Sequence, residues 1–119
     1  MQRPIVRRLP ADAQAGFTHV PRVDVERVRL IVVPVLTPGI VAMTVGRFVF
    51  LRRGHEADVG LLAHELVHVQ QWREFGAPGF LVRYLGAYIR GRARGLGHWD
   101  AYRAIPFEVE ARTRAGAGH

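Results

Sequence analysis

"LLAHELVHVQQW", residues 61–72, places two histidines four positions apart with a glutamate directly after the first. On a helix of about 100° per residue, His68 stands about 40° from His64, one turn along the same side, so both imidazoles can converge on one cation. Glu65 lies about 100° round, too far to share their plane but within reach of a water beside that cation. Leu62, Leu66 and Val69 gather between about 140° and 200° and form a separate apolar face. The stretch reads as a helix with one face for the interior and one edge that either holds a metal or carries histidines satisfied by other hydrogen bonds. Two neutral imidazoles on zinc, with the glutamate as general base on water, is the division of labour that His-Glu-x-x-His requires.

The flanks give this helix its ends. Asp58, closing the loop "RRGHEAD", suits the N-cap, and Gly76 and Pro78 stop the helix at Phe75. Upstream, "VDVERVRLIVVPVL" (23–36) has partly alternating valines and predicts a strand that ends, bulges or reaches an edge at Pro34. "TPG" (37–39) is a turn signal, and "IVAMTVGRFVFLR" (40–52) predicts a second strand with a bulge at Gly46. Residues 1–22, with Pro4, Pro10, Gly16 and Pro21, read as an irregular arm.

Downstream, Phe80, Leu81, Tyr84, Leu85, Tyr88 and Ile89 recur as a single apolar stripe on another helix, broken by "GLGHWD" (95–100). Pro106 suits the first turn of a last helix carrying "FEVEARTRA", and 115–119 form a frayed tail. Strands followed by helices give an α+β fold with a small antiparallel sheet, one domain over 1–119.

Composition narrows the chemistry. There is no cysteine, so any metal must be held by His, Asp or Glu. The formal charge is +7 and all seventeen basic residues are arginine, spread along the chain and concentrated only in "RYLGAYIRGRARG" (83–95). Such a run more often marks a solvated helix face than a specific nucleic-acid site, and no specific nucleic acid is expected. The longest apolar run, "LIVVPVL" (30–36), is too short to span a bilayer. No apolar segment follows the basic N-terminal residues as in a secretion signal. A cytoplasmic protein is the expectation.

"LLAHELVHVQQW" resembles the active-site helix of zincin metallopeptidases, and "EFGAPGFLVRYL" with "AYRAIPFEVEA" is similar to small bacterial gluzincin-type domains. The resemblance covers about residues 40–114 and is specific at 61–72 and 102–111. It implies a sheet edge over a cleft, an active-site helix, and a glutamate ligand from a later helix. Metzincins carry glycine and histidine where this chain has Gln71 and Glu74, so that subclass is excluded.

The gluzincin pattern implies Glu108 as third ligand beside His64 and His68, with Ala111 three residues on. The first turn of a helix also favours an ionised carboxylate at Glu108, whereas Glu110 points the other way and is expected to pair with Arg114; Glu110, directly before Ala111 as in thermolysin-like sequences, stays the alternative third ligand. Where the family has an acidic or amide residue that steadies a ligand histidine, this chain has Arg112, and Asp100 or Glu110 would have to substitute. Tyr102 is the candidate to stabilise an oxyanion, while Tyr84 and Tyr88 read as core.

The expectation is a zinc-dependent peptidase that binds a peptide or protein substrate as an extra strand against 43–50, with Glu65 as base and Zn²⁺ as cofactor. A chain this small lacks a second wall for the cleft, which a protein partner or the arm would supply. Two other readings stand beside it: a zinc-binding interaction module without turnover, and a basic nucleic-acid-binding domain.

Overall fold

The structure is a computed structural model that describes residues 5–117. His119 and the extreme ends of the expected arm and tail lie outside the described residues. The order is β1 (Ile5–Arg7), α1 (Ala11–Gly16), α2 (Arg22–Arg27), β2 (Arg29–Val33), β3 (Ala42–Val45), β4 (Phe48–Arg52), α3 (Val59–Ala93), α4 (His98–Arg103) and α5 (Pro106–Ala117). The class is α+β, as the pattern of strands and helices predicts.

The sheet is mixed rather than antiparallel. Its order is β1-β2-β4-β3, with β1 and β3 antiparallel to their neighbours and β2 parallel to β4. The expected strand over 40–52 is in fact a hairpin. Val45 pairs with Phe48, and the two residues between them turn the chain. Gly46 makes that turn at φ 64, a left-handed conformation that suits glycine, so it is a turn residue and not a bulge. In consequence β3 is the sheet edge, while β4 lies between β2 and β3. Of the span 43–50, only the β3 part is open to an added strand.

The strand expected from residue 23 begins at Arg29. Its first half is the helix α2, because Val25 and Val28, three apart, are the buried pair there rather than the alternate valines. Val23 is 44% exposed, against the alternation. Pro34 does end the strand, since β2 stops at Val33. Asp24, fully buried on α2, accepts from Arg73 Nε and Nη2 of α3 at 2.7 and 2.8 Å. A bidentate guanidinium satisfies both carboxylate oxygens and clamps α2 to α3.

The arm is also structured. Leu9, Phe17 and Val20 are buried in one core with Val28, Leu30, Val49, Leu51, Leu62, Leu66, Val67, Val69 and Ala111. The prolines that suggested irregularity instead precede short helices: Pro10 stands before α1 and Pro21 before α2.

α3 starts as expected, with the Asp58 carboxylate accepting from Leu61 N–H at 3.0 Å. It runs to Gly76, whose φ of 71 and ψ of 164 kink it into two limbs, 59–75 and 77–93. That conformation belongs essentially to glycine. Pro78 falls at the start of the second limb, where its missing N–H costs nothing. The limbs are joined by rings: Phe80 stacks on Trp72 at 4.3 Å and on Phe107 of α5 at 5.0 Å. The expected stripe on the second limb divides. Phe80 is buried and Tyr84 half-buried, but Leu81, Leu85 and Ile89 face outward. "GLGHWD" is not only a break, since α4 begins within it at His98.

Among the described residues no helix is long and apolar enough to cross a membrane.

Candidate metal centre

Three elements meet beside the first limb of α3: the edge strand β3, the second limb, and the start of α5. His64 and His68 stack edge to face with ring centroids 5.0 Å apart. Glu108, in the first turn of α5, turns its carboxylate between them. Its Oε1 lies 3.1 Å from His64 Nε2 and its Oε2 3.2 Å from His68 Nε2. Glu108 is 3% exposed, His68 5% and Glu65 6%, while the His64 side chain keeps 21%, so the centre opens on the His64 side.

This donor set fits a zinc ion. Two donors on tetrahedral zinc, each at roughly 2.0–2.1 Å, stand about 3.3 Å apart. The contacts of Glu108 Oε1 with His64 and of its Oε2 with His68 are close to that separation, the first being also a hydrogen bond. His68 Nε2 is buried 3.2 Å from Glu108 Oε2 without the geometry of a hydrogen bond. Ligand atoms of His64, Glu65 and His68 also lie within 4.8 Å of one another. Glu108 is nevertheless the better third donor than Glu65. Glu65 Oε2 stands 3.9 Å from His64 Nε2, and its Oε1 accepts from Thr44 Oγ1 of β3 at 2.8 Å. Glu65 is therefore held at the margin of the cluster, where the helical geometry places it.

The tautomer of His68 follows from a chain of contacts. Gln71 Nε2 donates to Glu110 Oε1 at 2.6 Å and to the Phe107 carbonyl at 3.1 Å. Two acceptors on one side of the amide fix its orientation and aim Oε1 at His68 Nδ1, 2.8 Å away. A carbonyl oxygen only accepts, so Nδ1 carries a proton. Glu110 thus has a different partner from the one expected. It bonds Gln71, whereas Arg114 donates to the His19 carbonyl and to Gln70. Arg112 donates to the Arg103 carbonyl and takes no part. Gln71, backed by Glu110, steadies the histidine that Arg112 cannot.

Charge at the centre is mutually adjusted. Burial pushes the Glu108 carboxyl upward, but contacts with His64 and His68 and the Tyr84 hydroxyl outweigh it and hold the group well below the usual carboxylate range. Burial pulls the His68 imidazole down, yet the neighbouring Glu108 and Glu65 leave it above its usual value. The Tyr84 and Tyr102 hydroxyls are raised, first by burial and then by the Glu108 charge, so they stay protonated as donors.

The centre brings together His64, Glu65, His68 and Glu108, while Tyr102 is linked to it by the Glu108 and Glu65 charges that raise its hydroxyl after burial. Three others were missed. Tyr84, assigned to the core, donates its hydroxyl to Glu108 Oε2. Thr44 and Gln71 carried no weight in the pattern. Gln71 had a usable signal, being three residues after His68 and within reach of it on the same helix. Thr44 had none, because its partner is twenty-one residues away across the cleft.

Several arginines are spent inside the molecule. Arg73 pairs with Asp24, Arg29 and Arg47 bind backbone carbonyls, and Arg112 and Arg114 do the same.

Comparison with curated proteins gave no match, and comparison with solved structures gave none either. The eCIS core domain family matches residues 8–76. That span includes the segments of the supposed arm, Thr44, and the helix with His64, Glu65, His68 and Gln71, and ends at the kink; Tyr84, Tyr102 and Glu108 lie beyond it. With more than half of its length matched, this chain belongs to the eCIS core domain family.

Proposed function

We propose that this chain is a zinc-dependent metallopeptidase of the gluzincin kind, with His64, His68 and Glu108 as ligands and Glu65 as general base. The observation that carries the reading is the Glu108 carboxylate set between the two Nε2 atoms at 3.1 and 3.2 Å, with Glu65 held just outside. A zinc ion held there would supply Lewis acidity and bring the pKa of water towards neutrality. The protein's own residues do the rest. Thr44 occupies one oxygen of Glu65 and leaves the other to take a proton from water and hand it to the leaving amine. Tyr102, kept protonated as a donor by burial and the Glu108 charge, stabilises negative charge developing on the substrate carbonyl. An extended peptide adds to the β3 edge, whose Met43 and Val45 are exposed on either side of Thr44.

Elemental analysis of the purified chain, with peptide-library cleavage as a second readout, tests this. Wild type is expected to hold about one zinc per chain, as a three-ligand site with an open fourth position does. Glu65→Gln is expected to keep the zinc and lose cleavage. A chain that takes up no zinc when supplied with it refutes the reading. Zinc bound with cleavage unaffected by Glu65→Gln refutes the mechanism, and zinc bound with no cleavage at all favours the interaction module.

A further inference from the structure

The second limb of α3 carries a feature that neither the metal centre nor the core uses. Where it passes the start of α5, the two leave an open groove of about 480 Å³ walled by Phe75, Val82, Arg83, Arg90, Ile105 and Phe107. Sites of roughly 300–1,000 Å³ take a small ligand or a few residues of a peptide. Ile105 is buried and gives an apolar floor, while the lip is open, with Val82 74% and Phe75 42% exposed.

Arg83 and Arg90 are two turns apart and share one side of the helix. Both side chains lie along it. The Arg83 guanidinium stands 4.9 Å over the Phe75 ring, and Arg90 Nη1 folds back to within 3.5 Å of where a Cβ on Gly86 would be. Residues 75–99 contain Arg83, Arg90, Arg92 and Arg94 and no Asp or Glu. On α5, Glu108 is turned to the histidines and Glu110 to Gln71. Glu74 and Asp100 flank this run, and Asp100 pairs with Arg103. Among the described residues no carboxylate forms an ion pair with Arg83 or Arg90, so both guanidiniums are open to carboxylates from outside the chain.

We infer that the groove is a docking site for an acidic segment of a partner protein. Carboxylates of the segment engage Arg83 and Arg90, and an adjacent apolar or aromatic side chain fills the floor between Phe75, Ile105 and Phe107. Guanidinium suits both halves of such a ligand, since it pairs with carboxylates and stacks on rings. A second copy of this chain is the wrong occupant: with seventeen arginines against ten acidic residues, two such faces repel. A bilayer is flat and would touch the lip without filling the groove. Beyond the lip, Leu85 and Ile89 are 53% and 63% exposed and prolong the apolar surface for a segment of several residues.

The probe is an acetylated hexapeptide alternating Glu with Phe or Leu, titrated at physiological ionic strength and followed by amide chemical shifts. Saturable binding is expected, with shifts at Phe75, Val82 and Phe107. It should weaken at least about tenfold in Arg83→Glu/Arg90→Glu, and as much for the Gln-for-Glu peptide. Arg8→Glu/Arg52→Glu removes the same charge elsewhere and should leave binding within about twofold, as local pairing and not net charge decides. Unchanged melting temperatures keep the variants comparable. Absence of saturable peptide binding overturns the inference. So does equal weakening by both double variants, or binding to phosphatidylserine vesicles in place of the peptide.

Discussion

On the N-terminal side of Gly76, α3 buries Leu62, Ala63, Glu65, Leu66, Val67, His68, Val69, Gln71 and Trp72; on the C-terminal side it buries only Phe80 and Gly91. The two limbs are similar in length and differ in what their buried positions contain. The first encloses three polar side chains, Glu65, His68 and Gln71, and partners for each come from other elements: Thr44 from β3, Glu108, Glu110 and the Phe107 carbonyl from α5. A buried polar group without such partners costs of order 1–3 kcal/mol, so this concentration is tolerable only where the contacts are built. The second limb is held by rings at its start and offers Tyr84 to the centre. Further along, it packs on α4 at Gly91, beside Ala101, and Tyr88 bonds His98, while Leu81, Leu85 and Ile89 face solvent.

The largest test of that contrast is the ring that joins the limbs. Phe80 is 4% exposed and stacks on Trp72, Tyr84 and Phe107. Phe80→Ala should lower unfolding free energy by about 3–5 kcal/mol, measured by urea denaturation. A loss under about 1 kcal/mol would mean that the second limb is not anchored there.

Next is the ligand choice. Glu108→Ala should weaken zinc binding by about 100-fold or more in a chelator competition, since two imidazoles alone make a poor zinc site. Unchanged affinity would transfer the third ligand to Glu65 and leave no general base.

Gln71→Ala should weaken zinc about 10–100-fold, the range found when the partner orienting a ligand histidine is lost. Glu110→Ala should act in the same direction and less, because Gln71 keeps the Phe107 carbonyl. Nitrogen-15 shifts of His68 check the cause: wild type without metal should show Nδ1 as the preferentially protonated nitrogen. A His68 whose Nδ1 is the unprotonated nitrogen would break the chain of contacts from Glu110 to the centre.

How much of this was legible depended on how local the cause is. The first limb could be read from end to end, because its cap at Asp58, its stop at Gly76 and its histidine spacing are all short-range. The proposed third ligand rested on a likeness to a family as well, since local signals alone favoured Glu108 over Glu110 without showing which of them faces another helix. β2 and α2 were confused because valines at 23, 25 and 28 fit both a strand and one helical turn, and Asp24 decides it only through Arg73, far along the chain. The parallel pairing of β2 with β4 left no trace in the pattern either, as a mixed sheet and an antiparallel one alternate alike. In the second limb, periodicity showed an apolar stripe and not what it faces.

The smallest expected effect bears on that last point. Leu85→Ser and Ile89→Ser replace side chains that are 53% and 63% exposed. Their removal takes little apolar surface out of a buried environment and leaves no cavity, so each should change stability by no more than about 0.5 kcal/mol. Serine has a somewhat poorer helix propensity than leucine, which sets the sign of what remains as slightly destabilising. Thermal melts of both variants beside Phe80→Ala make the comparison direct: same limb, same apolar stripe in the sequence, opposite sides of the helix. A loss of about 2 kcal/mol or more at Leu85 would mean that this face is packed in the isolated chain, and the stripe would then belong to the core as its periodicity suggested.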